Sequence, residues 1–62
     1  MRFTLTIDCG GAAFDDDSRD VEVARILKQL STHLTISGDN TGRLFDTNGN
    51  RCGEWKFEEN GQ

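Results

Sequence analysis

Only one stretch of this 62-residue chain carries helical periodicity over any length, and it limits what the remainder can be. On a helix of about 100° per residue, Val23, Ala24, Ile26, Leu27, Leu30 and Leu34 fall within one arc of roughly 160°, wide enough to face a sheet. Asp17 or Ser18 is a natural N-cap, because either side-chain oxygen can accept from an unpaired first-turn N–H. The helix should fray near Leu34, before the turn-forming run Ser37-Gly38-Asp39-Asn40-Thr41-Gly42. A single helix in so short a chain leaves room for one small sheet and nothing larger.

The strands are read from alternation. Phe3, Leu5 and Ile7 share one face of Arg2–Asp8, with Thr4 and Thr6 on the other, and Gly10-Gly11 breaks the run. Phe14 is placed to anchor the helix start. Two further strand-like runs, Arg43–Thr47 and Arg51–Glu58, flank Asn48-Gly49, a strong hairpin signal. A two-residue turn there sets Phe45 opposite Cys52 and Leu44 opposite Gly53. Trp55, Phe57 and Leu44 then share one face, with Cys52, Glu54, Lys56 and Glu58 on the other. A three-residue turn would shift the register and bring Phe45 inward.

The expected fold is α+β, a single domain over residues 1–62 in the order strand, helix, strand, strand. One helix packs on a three-stranded, mainly antiparallel sheet, and residues 59–62 form a loose tail. With the last strand in the middle, all neighbours are antiparallel. The alternative places the second strand beside the first, parallel to it, through a right-handed crossover.

Charge is the best functional clue. The net charge is −4, unevenly spread: six acids (Asp8, Asp15, Asp16, Asp17, Asp20 and Glu22) face a single base, Arg19, between residues 8 and 22. From Val23 onward, five acids meet five bases. Such a field repels nucleic acid and anionic membranes and attracts basic protein surfaces. Acids near the helix start also suit its dipole, but one or two satisfy it. Asp15 and Asp16 precede the helix and, on this reading, offer the fold nothing. Duplex DNA carries about one charge per 1.7 Å of axis, and a helix rises about 1.5 Å per residue. A row of carboxylates can therefore stand in for phosphates in a basic groove.

Other chemistry finds little to work with. The one histidine, His33, lies at the edge of the helix stripe with no orienting partner indicated, so no enzyme is expected. Asp46-Thr47-Asn48-Gly49-Asn50 followed by Glu54 is spaced wrongly for a calcium loop, since its glycine is fourth and its glutamate ninth. No metal or cofactor is expected. Cys9 and Cys52 lack a metal-ligand spacing and read as half-buried strand thiols of a cytoplasmic protein. No apolar run reaches membrane-spanning length, and the start lacks the layout of a secretory signal.

Three features together, Phe3-Thr4-Leu5-Thr6-Ile7-Asp8, the acidic entry to one helix, and Asp46-Thr47-Asn48-Gly49-Asn50 with Gly53-Glu54-Trp55, give a chain that resembles small phage-encoded anti-CRISPR proteins. In particular it resembles a type I-C anti-CRISPR inhibitor, over nearly all 62 residues. The resemblance implies a cytoplasmic partner in the host bacterial cell, the multi-subunit CRISPR surveillance complex. It implies docking on the large subunit that reads the PAM and admits target DNA, with inhibition by occupancy of a basic groove. The binding residues expected from charge density are Asp8, Asp15, Asp16, Asp17, Asp20 and Glu22, on a monomer. A different class of reading is a small structural or accessory phage protein that binds through an apolar surface, with Phe45, Val21 or Trp55 as anchors.

Overall fold

The computed structural model describes residues 1–15 and 17–59. Strand β1 (Arg2–Ile7) leads through a single 3-10 turn at Ala12–Phe14 into helix α1 (Arg19–Ser37), followed by β2 (Thr41–Phe45) and β3 (Arg51–Glu58). The sheet order is β1-β3-β2, and both pairings are antiparallel. The expected α+β fold, with its helix on a three-stranded antiparallel sheet, is therefore present, and the parallel alternative is not. Of the expected tail, residues 60–62 lie outside the described residues. Among the described residues, no helix is long and apolar enough to cross a membrane.

Alternation along the strands separates a dry face from a wet one. Leu5 lies opposite Trp55, Ile7 opposite Gly53, and Leu44 also opposite Gly53. Trp55 and Leu44 are buried with Ile26 and Leu30 of α1, while Phe14 closes the core beneath the helix start. Full burial of Trp55 and Ile26, the two most enclosed side chains, contributes about 1.5–3 kcal/mol each. Gly42 makes the indole's position possible, because a Cβ there would overlap Trp55 at Nε1, Cε2 and Cζ2. Phe3 packs on Phe57 with ring centroids 4.9 Å apart, and His33 meets Trp55 edge-on at 6.1 Å. On the wet face, Arg51 pairs with Glu54 at 2.6 Å and Lys56 with Glu58 at 3.5 Å.

The helix presents a narrower seam than its sequence suggests. Glu22, Ile26 and Leu30 are buried, with Val23 and Leu34 partly so, whereas Ala24 and Leu27 are exposed. Counted from Glu22, the buried positions span about 120° of helix circumference. A sheet of three strands, with glycine at two inward positions, offers no more width than that. Ile36, near the end of α1, is 79% exposed.

The hairpin differs from expectation in a way that cancels. Gly49 N–H donates to Asp46 C=O and Asp46 N–H to Asn50 C=O, which closes a three-residue loop, Thr47-Asn48-Gly49. Gly49 alone in the loop takes a positive φ, +83°, where the expected turn needed Asn48 there as well. Phe45 accordingly faces Arg51 instead of Cys52. A bulge then inserts Cys52 as an extra residue and restores the Leu44–Gly53 pairing. Phe45 thus stays half-exposed, and Cys52 is buried with the core instead of sharing the wet face with Glu54.

Candidate functional site

The acids between residues 8 and 22 divide by what their oxygens bind. Asp15 ends the 3-10 turn in extended backbone and reaches forward to the helix start. Its Oδ1 accepts from Asp17 N–H (3.2 Å), Ser18 N–H (3.1 Å) and Ser18 Oγ (2.8 Å). Those bonds, the Ser18 hydroxyl foremost, hold its carboxyl below the ordinary 3.8. Ser18 occupies the N-cap position, but its side chain does not cap; it donates to Asp15. Asp15 therefore organises the entry to α1, contrary to the expectation that it gives the fold nothing.

Glu22 is withdrawn from the exposed acidic group altogether. Its residue is 6% exposed, and its carboxylate takes both Nε (2.9 Å) and Nη2 (2.7 Å) of Arg25, a bidentate ion pair. Glu22 Oε2 also accepts from Thr47 N–H at 2.7 Å, which ties the hairpin loop to the first turns of the helix. The hydrogen bonds from Arg25 hold the Glu22 carboxyl below its ordinary 4.5, against the opposing effect of burial, and raise the Arg25 guanidinium in turn. Expected among the binding residues, Glu22 instead has its carboxylate buried and matched to Arg25.

Asp8, Asp17 and Asp20 remain exposed. Asp8 Oδ1 accepts from Gly10 N–H at 3.0 Å, a local turn that leaves its second oxygen open. Among the described residues, none of Asp8, Asp15, Asp17 and Asp20 has a cationic partner within ion-pair distance. Asp15, Asp17 and Asp20 share one continuous loop and helix start; Asp8 lies on the far side of the 3-10 turn, at the exit of β1. Asp16 lies outside the described residues.

Asp46, part of the sequence run spaced wrongly for a calcium loop, is a structural acid. It is 6% exposed, and its Oδ1 accepts from Asn48 N–H and Asn50 N–H, each at 2.9 Å. Among the described residues, no three acid, histidine or cysteine side chains are grouped to hold a metal ion.

Of the apolar anchors considered, Val21 is 70% and Phe45 50% exposed, while Trp55 is enclosed and unavailable to a partner. His33 bonds Asp39 at 3.1 Å across the helix-to-β2 turn. Comparison of the chain with family models, with curated proteins and with solved structures finds no match.

Proposed function

We propose that this chain is a stoichiometric, non-catalytic inhibitor that places its carboxylates in a basic, DNA-binding groove of a type I-C CRISPR surveillance complex. The large subunit that reads the PAM is the proposed receptor, and exclusion of target DNA the proposed effect. The observation that carries this reading is the set of four exposed aspartates, Asp8, Asp15, Asp17 and Asp20, without cationic partners among the described residues. Three of them are held on a loop and helix start that Asp15 itself orders, which lowers the entropy lost on docking. The CRISPR partner comes from the sequence resemblance alone.

The test is competition. Target-DNA binding by the purified surveillance complex is measured with increasing inhibitor at low and at high salt. The proposal expects DNA to be displaced, and displacement to weaken steeply with salt, because opposed exposed charges are screened. The variant Asp16→Asn/Asp17→Asn/Asp20→Asn keeps the Asp15 cap and should lose at least about tenfold in inhibition. Full inhibition by that folded variant removes these acids from the site.

A second reading draws on the exposed Val21 and Phe45. It makes the chain a small structural or accessory phage protein that docks through apolar contacts. Binding insensitive to salt, and abolished by Phe45→Ala or Val21→Ser without loss of fold, would select it over the first.

A further inference from the structure

Two thiols, the chain's only cysteines, are brought to one place by features that the acidic surface does not use. Ile7 faces Gly53 across the β1–β3 ladder, and Asp8 N–H donates to Cys52 C=O at 2.7 Å, so pairing runs one residue past the end of β1. Cys9 is the next residue. One step from a directly hydrogen-bonded pair separates two Cα atoms by about 6 Å, inside the range a disulfide spans. The β3 bulge turns Cys52 into the core, where it is buried beside Phe14, and Cys9 packs against the same cluster. Cys9 is close enough to be among the groups that, together with burial, hold the Cys52 thiol above its ordinary value. Both are free thiols in this structure.

We propose that Cys9 and Cys52 form a reversible redox clasp, closing to a disulfide by exchange with a low-molecular-weight disulfide such as oxidised glutathione. The more accessible Cys9, as thiolate, attacks one sulfur of oxidised glutathione and releases one glutathione thiolate. The Cys52 thiolate then attacks the Cys9 sulfur of the mixed disulfide and releases the second. The two protein thiols are oxidised by two electrons, one glutathione disulfide is reduced to two glutathione thiols, and the two protons lost by the protein thiols end, through solvent, on the two released glutathione thiolates. Burial of Cys52 keeps its thiolate scarce, so the second step is the slow one. The closed clasp staples the exit of β1 to the central strand.

The test uses the full chain in glutathione redox buffers, with intact mass after acid quench to separate the protein disulfide from a glutathione adduct. The same titration is run on the chain unfolded in urea. The fold is expected to favour the internal disulfide over the unfolded chain by at least about tenfold in equilibrium constant, a shift of about 30 mV in potential. The oxidised form should also melt at a higher temperature than the reduced one. Disulfide formation no easier in the folded chain than in urea, or a folded chain that accumulates only the Cys9–glutathione adduct, would overturn the proposal.

Discussion

Asp20 and Glu22 stand two residues apart in the first turn of α1, and they serve different parts of the molecule. Glu22 points under the hairpin, where Arg25 and the amide of Thr47 occupy its oxygens, and Asp46 does the equivalent work inside the loop itself. Asp17 and Asp20 face solvent with no partner among the described residues. The contrast shows that local charge density does not sort structural acids from available ones. What sorts them is whether the helix rotation turns a carboxylate toward unpaired donors elsewhere in the fold, since a buried donor left unmatched costs more than a solvated one.

Four sets of substitutions test that division, and the largest effect is expected where a buried carboxylate serves the most amides. Asp46→Ala strips two turn amides of their acceptor and should cost about 2–3 kcal/mol, read as a drop in the urea midpoint; Asp46→Asn should recover much of it. Wild-type stability from Asp46→Ala would show the loop closing without its side chain.

Glu22→Gln comes next and is sharpest as a pH experiment. The Glu22 carboxyl lies below its ordinary 4.5 in the folded chain, so its stabilisation is fully present above that value and is lost as pH falls through the lower folded one. Wild type should therefore weaken on acidification through this window, and Glu22→Gln should start less stable at neutral pH and weaken less steeply. Parallel pH profiles for the two proteins would place the Glu22–Arg25 pair outside the stability of the fold. Asp15, held below its ordinary 3.8, acts in the same direction on acidification, so the comparison is cleanest in an Asp15→Asn background.

Asp15 straddles the two classes, being exposed yet committed to the helix start. Asp15→Ala should lower the melting temperature more than Asp15→Asn, because asparagine keeps an oxygen for the Asp17 and Ser18 amides. Equal melting temperatures for the two variants would mean that the cap contributes nothing measurable.

The smallest stability change belongs to Asp17→Asn/Asp20→Asn, within about 0.5 kcal/mol of wild type, while inhibition falls. Those two outcomes together separate a surface kept for a partner from one kept for folding. A large loss of stability would move both residues to the structural class.

Much of the architecture was legible because alternation and helical period report which face is dry. Phe3, Leu5, Ile7 and Trp55 specify the inner sheet surface, and Ile26 with Leu30 the helix seam. The hairpin's outcome was legible further from the turn than within it. Leu44 meets Gly53 as expected only because the three-residue loop and the bulge at Cys52 offset each other. The available local signal was Gly53, an isolated glycine within a strand run, where a Cβ would overlap the Thr6 carbonyl. The role of Glu22 was hidden for a different reason. Its second partner, the amide of Thr47, is 25 positions away in sequence and reaches it only once β2 has returned beside the helix. An acid four residues before Ile26 and eight before Leu30 was the available signal, since that spacing puts it on the buried stripe.

The indole seated over Gly42 also has a practical consequence. Trp55 is the chain's only tryptophan and there is no tyrosine, so intrinsic emission comes from one site at the centre of the molecule. The protein carries its own optical gauge, read without a label. Contact made by the aspartates alone should leave the emission maximum in place, whereas a red shift on adding a non-fluorescent receptor peptide would report that water had reached the interior.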